Sequence, residues 1–99
     1  MKDKINSSSC IRRNPEQPFT KIDDEVVFLS LSDGEYVALN QMATQIWELI
    51  NTPKKVSKLI NDLLEDYDIS RDVCEDETIT CLNEFLEKNL IESMEVIND

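Results

Sequence analysis

The sequence has no histidine and a single glycine, Gly34, among its 99 residues. The absence of histidine removes the commonest general base and metal ligand, and one glycine cannot build a glycine-rich phosphate-binding loop. No apolar run approaches the roughly 20 residues of a membrane span, and residues 1–13 lack the apolar stretch of a secretory signal. A chain of this length forms one domain without a deep enclosed cavity. These absences favour a small non-enzymatic module that carries no metal or other cofactor.

Basic residues are also scarce, since 10 Lys and Arg stand against 21 Asp and Glu for a net charge of -11. Phosphate binding needs a basic face, so we expect no nucleic-acid partner. The three cysteines are an odd number, which fits a reducing cytoplasm better than a secreted chain. Cys74 and Cys81 fall on one predicted helix with Cα atoms about 10.5 Å apart, too far for a disulfide. We therefore predict a cytoplasmic protein without a membrane or nucleic-acid partner.

The N-terminal segment, residues 1–14, is polar and shows little periodicity. It is predicted to be a flexible arm. We predict that the folded domain spans residues 15–92 and that residues 93–99 form a short tail.

Two runs rich in β-branched and aromatic residues, 25–32 and 35–40, flank the Asp-Gly pair at 33–34. Such a pair between two runs is a strong signal for a β-hairpin with a type I′ turn. That turn predicts a register in which Leu29 lies opposite Ala38.

An isolated hairpin is marginally stable, so a third strand is expected. Residues 19–23 are the candidate and would pair with the 25–32 strand, which leaves the 35–39 strand at an open edge. Both faces of this sheet are apolar, and the second face can dock a partner enzyme or a second copy of the chain. The predicted residues of that second face are Val27, Leu29, Leu31, Tyr36 and Ala38.

Apolar residues at helical spacing predict three helices after the sheet. Asn40 is a suitable N-cap for the first helix. Thr52 can cap the second helix, with Pro53 at its first position. Ser70 can cap the third helix, which is predicted to run to about residue 91. The apolar arc of the third helix spans about 180°, wider than an ordinary surface helix needs. The fold class is therefore α+β and winged-helix-like, with a three-stranded antiparallel sheet followed by three helices.

Acidic residues crowd the first turns of the third helix, at Asp72, Glu75, Asp76 and Glu77. They interact favourably with the helix N-terminus, or they recognise a basic residue of a partner. The open strand edge beside the wide apolar helix is suited to the addition of a peptide strand. The alternative is that the N-terminal arm or a dimer partner covers the edge.

Three groups of motifs occur in a fixed order along the chain. They are Tyr36-Val-Ala-Leu-Asn40 running into Ala43-x-x-Ile46-Trp47, then Val56-x-x-Leu59 with Leu64-x-x-Tyr67, and then Cys74-Glu75-x-Glu77 leading to Phe85-Leu86 and Leu90-Ile91. Together they resemble the PqqD-like family, most closely its free-standing members from lasso-peptide clusters. The resemblance covers residues 12–92.

The family consists of peptide-binding chaperones, or precursor recognition elements, of ribosomally made and post-translationally modified peptides. The resemblance implies that the leader of a precursor peptide adds as a strand beside the third strand, against the third helix. It also implies a non-catalytic adaptor, a monomer or weak dimer, that presents the precursor to a separate modifying enzyme such as a leader peptidase. The implied peptide-binding residues are Glu35, Tyr36, Val37, Ala38, Leu39, Cys74, Glu77, Thr78 and Cys81.

Two of these positions depart from the family pattern, because Thr78 and Cys81 stand where larger apolar residues are common. The peptide pocket is then expected to be roomier or shallower. The alternatives to this interpretation are a winged-helix transcription regulator, which the net charge opposes, a small redox or metal protein that uses the three cysteines, and another small protein-interaction module.

Overall fold

A computed structural model describes residues 5–29 and 34–94 of the chain. Its strands are β1 (Cys10–Arg13), β2 (Phe19–Ile22), β3 (Glu25–Leu29), β4 (Tyr36–Ala38), β5 (Lys54–Lys55) and β6 (Ile91–Met94). Its helices are α1 (Gln41–Leu49), α2 (Val56–Asp66) and α3 (Arg71–Glu87).

The main sheet is antiparallel and has the order β2-β3-β4. Its first strand forms in the segment predicted for it, and three helices follow the sheet. The predicted α+β fold is therefore confirmed. The core-facing side chains of the sheet, Val26, Phe28 and Leu39, are buried against the helices.

The pairing of β3 with β4 is shifted by two residues from the predicted register. Leu29 lies opposite Tyr36, and Val27 opposite Ala38, whereas the predicted turn would place Leu29 opposite Ala38. Because side chains alternate between faces with a period of two, an even shift leaves each side chain on its predicted face. The turn expected at 33–34 falls partly outside the described residues; Gly34 has a φ of 72°.

A tight turn connects β2 and β3, at Asp23 and Asp24. Both have positive φ, 51° and 68°, and the residues on either side, Ile22 and Glu25, are paired. Positive φ at both central residues is the geometry of a type I′ turn, which aspartate tolerates better than most residues. The strand predicted to reach Asp23 therefore ends at Ile22.

The prediction of a flexible N-terminal arm is wrong for the described residues 5–13. Strand β1 lies between β5 and β6 in a second small sheet. Ile5 and Ile11 are buried in the core. Residues 93 and 94, assigned to a tail, belong to β6. A segment with two core residues gives no periodic signal, and its partners lie far along the chain.

The N-caps predicted for the first and third helices are confirmed. The Ala43 N–H donates to Oδ1 of Asn40 at 2.8 Å, and the Val73 N–H to Oγ of Ser70 at 3.3 Å. The start predicted for the second helix is wrong, because α2 begins at Val56. The two lysines before it pair with β1 as β5.

Helix α3 ends at Glu87, four residues before the predicted end. Asn89 has a left-handed φ of 61°. The Leu90 N–H donates to the Phe85 carbonyl and the Asn89 N–H to the Leu86 carbonyl, which is the pattern of a Schellman cap. The cap turns the chain out of the helix and into β6.

Trp47 of α1 lies at the centre of the core and joins its layers. Its ring centroid is 4.7 Å from that of Phe28, 5.3 Å from Phe19 and 6.2 Å from Phe85, all edge to face. The Arg13 guanidinium lies 4.5 Å from the Trp47 ring centroid, and its Nε donates to the Trp47 carbonyl at 3.0 Å. The N-terminal strand is thus attached to the same residue that holds the main sheet.

The burial of Ile11 predicts that the N-terminal strand contributes to stability. Truncation by Ile11→Ala should lower the free energy of unfolding by about 2–5 kcal/mol, because it leaves a cavity in the core. Urea denaturation followed by circular dichroism measures this loss. Arg12→Ala, at an exposed position, is the matched control, and an Ile11→Ala variant as stable as that control would contradict the placement of β1.

Candidate functional site: a groove beside the edge of strand β4

Within the described ranges, 5–29 and 34–94, strand β4 pairs on one side only, with β3. The Leu39 N–H donates to the Val26 carbonyl at 2.8 Å. Since the peptide groups of a strand alternate in direction, Val37 also faces β3. The N–H and C=O groups of Tyr36 and Ala38 therefore point away from the sheet, toward its open edge.

The buried hydroxyl of Thr44 fixes the end of β4 against α1. It donates to the Leu39 carbonyl at 3.3 Å and accepts from the Val26 N–H at 3.1 Å. It thereby joins two backbone groups that would otherwise be unpaired in the core. The bridge sets the angle at which the chain leaves β4 and enters α1.

A groove of about 600 Å³ lies between β4 and α3. Its β4 wall is formed by Val37, Ala38 and Leu39. Apolar side chains from α1 and α3 line it between the walls: Met42, Ala43, Ile46, Cys81 and Phe85. On the α3 side the remaining lining residues are polar or charged: Asp76, Glu77, Thr80, Glu84 and Lys88.

Five of the nine residues implied by the resemblance line this groove: Val37, Ala38, Leu39, Glu77 and Cys81. Glu35 and Tyr36 do not line it. Tyr36 is 74% exposed, and its register with Leu29 places it on the sheet face opposite the core. Its contribution to the edge is its outward peptide groups.

Cys74 and Thr78 are a correction, because both are 0% exposed and lie in the core. The Cys74 sulfur is 3.9 Å from the Thr78 hydroxyl oxygen. Neither side chain can contact a peptide in the groove. The small size of Thr78 therefore affects packing in the core and not the depth of the groove.

The wide apolar arc of α3 combines two different surfaces. The row Cys74, Thr78 and Leu82 faces the core, whereas the row Glu77, Cys81 and Phe85 lines the groove. The rows are about 60° apart around the helix axis, so both fall inside one arc of 180°. A further row of polar and charged residues also lines the groove: Asp76, Thr80, Glu84 and Lys88. These residues recur every four positions, a signal that an analysis of apolar residues alone does not detect.

Burial and then the charge of Glu84 raise the pKa of the Cys81 thiol to about 12. The thiol is therefore neutral at physiological pH and adds apolar surface to the groove, since only the thiolate is a strong nucleophile. All three cysteines are free. The described part of the chain holds no cluster of three or more His, Cys, Asp or Glu suited to a metal ion.

The fold and the groove define a class: a small winged-helix-like α+β domain in which, among the residues that the structure describes, one strand edge beside a helix has no pairing strand. Residues 25–91 match the model of the family described as coenzyme PQQ synthesis protein D (PqqD). The match covers more than half of the chain, which therefore belongs to the PqqD family, as the resemblance implied.

Two solved structures are similar to the chain. One is described as TbiB1 in complex with the TbiA(beta) leader peptide, with a TM-score of 0.74, 26% sequence identity, and coverage of 86% of this chain and 99% of that one. The other is lasso peptide synthetase B1 complexed with the leader peptide, with a TM-score of 0.71, 22% identity and coverage of 83% and 96%. The second likeness shows the fold alone.

No curated protein matches the sequence significantly. Among the described residues, no helix has the length and apolar character needed to cross a bilayer.

The raised pKa of Cys81 predicts slow alkylation in the native protein. Below pH 9 the thiolate is rare, so iodoacetamide should modify Cys81 far more slowly than in the same protein unfolded in urea. The native rate should rise as the pH approaches 12, because deprotonation is what limits it. Mass spectrometry of the Cys81 peptide measures both rates, and equal native and unfolded rates at pH 8 would contradict the burial of this thiol.

Proposed function

We propose that this protein is a non-catalytic adaptor that captures the leader of a ribosomally made precursor peptide by strand addition to β4. The observation that carries the proposal is the pair of outward-facing peptide groups, at Tyr36 and Ala38, beside a groove with apolar lining. The titles of both similar structures describe complexes with leader peptides, which supports the same use of this fold here.

An extended leader would exchange main-chain hydrogen bonds with Tyr36 and Ala38. Its alternate side chains would then point into the groove, toward Ile46 and Phe85, or onto the outer face of the sheet. Each hydrogen bond contributes about 0.5–1.5 kcal/mol net, and burial of apolar side chains in the groove adds to this. A disordered leader loses entropy on binding, so we expect affinity in the micromolar to sub-micromolar range.

The adaptor would hand the precursor to a separate enzyme, and the leader peptidase of a lasso-peptide pathway is our proposal for it. Holding the precursor near that enzyme replaces a bimolecular encounter by one at high effective concentration. The outer sheet face is the proposed docking surface. Its described members are Ile22, Val27, Leu29, Tyr36 and Ala38, whereas Leu31 lies outside the described residues.

A DNA-binding role, the main alternative for a winged-helix-like fold, is disfavoured by charge. The net charge is -11, and three carboxylates line the groove beside α3, those of Asp76, Glu77 and Glu84. Such a surface repels the phosphate backbone.

The test of strand capture is Ala38→Pro, which removes an N–H that points to the open edge. Proline is tolerated at an edge strand whose N–H faces solvent, whereas at Val37 it would break a bond to β3. Where a short reading frame that encodes a precursor peptide neighbours the gene, its leader, synthesised with a fluorescein label, is the ligand, and fluorescence polarisation measures the affinity. We expect Ala38→Pro to weaken binding by about tenfold or more, since it removes a hydrogen bond and displaces the peptide backbone.

Lys21→Pro is the matched control, because Lys21 lies on β2 at the opposite edge of the same sheet. Its partner Val26 directs both peptide groups away from β2, so the Lys21 N–H also faces outward. This variant should bind the leader like the parent protein, and both variants should keep their far-ultraviolet circular dichroism. If Ala38→Pro binds with unchanged affinity, the leader does not add to β4.

A further inference from the structure

The charged residues of the groove are distributed unevenly along α3. Every lining residue from β4 and α1 is uncharged. The charged ones are Asp76, Glu77 and Glu84 on α3 and Lys88 at its C-cap. The three carboxylates form no ion pair within the described part of the chain. Lys88 is the one cation among the described lining residues.

Glu84 has a residue of opposite charge close to it in sequence, at the C-cap of α3. Lys88 follows it by four residues, and a Glu placed four residues before a Lys is the favourable order for attraction along a helix. Asp76 and Glu77 have no such neighbour. The residues four positions after them, Thr80 and Cys81, are uncharged.

The start of the helix does not account for Asp76 and Glu77 either. Asp72 is the acidic residue in the first turn of α3, and the interaction of a carboxylate with the helix dipole falls off within that turn. Asp76 and Glu77 lie in the second turn. Their two negative charges therefore stand beside an apolar groove without a compensating group on the helix.

Resting on the proposed function, we propose that Asp76 and Glu77 form a cation subsite that selects leaders carrying a Lys or Arg in the captured strand. A peptide strand added to β4 directs alternate side chains toward α3. The aliphatic stem of a Lys or Arg would pack on Thr80 and Cys81, while its charged end reaches the two carboxylates. The next residue of the peptide that faces the groove would be apolar and would fill the space near Ile46 and Phe85.

The subsite also discriminates against peptides that carry an acidic residue at this position. A leader with Asp or Glu at the same position would place like charges together across the groove, and such repulsion is a means of discrimination. The overall charge of -11 attracts cationic peptides and speeds their encounter with the groove. Specificity would thus come from charge beside the apolar pocket, and binding should weaken as salt is added.

The experiment selects peptides from a yeast-displayed library of random sequences about fifteen residues long. The probe is this protein carrying a fluorescent label. Selected peptides are synthesised and retained if Ala38→Pro weakens their binding in fluorescence polarisation. The retained set should be enriched in Lys or Arg at a constant distance from an apolar residue. A selection that gives no peptide sensitive to Ala38→Pro overturns the proposed function itself.

The retained peptides are then measured with Asp76→Asn/Glu77→Gln and with a control of equal charge, Glu65→Gln/Glu87→Gln, at exposed positions outside the groove. Neutralising the subsite should weaken binding about fivefold to tenfold and reduce its salt dependence, as expected for two ion pairs near a surface. The control should stay within about twofold, because its charges act only at long range.

Charge reversal separates recognition from an indirect effect on folding. Glu77→Lys should bind a peptide whose basic residue is replaced by Glu more tightly than the parent protein does. Retained peptides that lack the basic preference, or that bind both double variants equally, would overturn the cation subsite while strand capture still stands.

Discussion

The edge-to-face contact between Phe28 and Trp47, with ring centroids 4.7 Å apart, is the interaction on which the rest of the structure depends. It holds the central strand of the main sheet against α1. Phe19 and Phe85 pack on the same indole ring, and Arg13 lies over it. One side chain therefore joins β1, the main sheet, α1 and α3, and their relative positions define the groove.

The groove lies between β4 and α3, beyond the part of the core that Trp47 holds together. Strand β4 exposes Tyr36 and Ala38 and half-buries Val37. Within the described residues it has a neighbour on one side only, and the Thr44 hydroxyl closes the ladder where α1 begins. Helix α3 forms the other wall of the groove of about 600 Å³, and its row Cys74, Thr78 and Leu82 packs in the core. A strand edge is normally a liability, and here it lies beside a helix whose groove-facing residues are apolar at one level and acidic at another.

Local signals predicted much of this architecture. The strand segments of the main sheet, the caps at Asn40 and Ser70, and the core-facing residues of that sheet all rest on neighbours close in sequence, so they could be inferred directly. The resemblance to the PqqD-like family placed the site beside β4 and α3. The rows of α3 could not be separated, because an apolar arc does not say which part meets the core; Cys74 and Thr78 were assigned to the groove for that reason.

The sequence by itself determined the fold class and the excess of negative charge, because these depend on composition and on periodic patterns within single elements. Its motifs carried the resemblance to the family. The tertiary structure decided that β1 belongs to the domain, that the register of β3 and β4 is shifted by two residues, and which side of α3 borders the groove. These features depend on contacts between segments distant in the chain, such as Cys10 with Met94. No local pattern encodes such contacts, since they form only when the whole core packs.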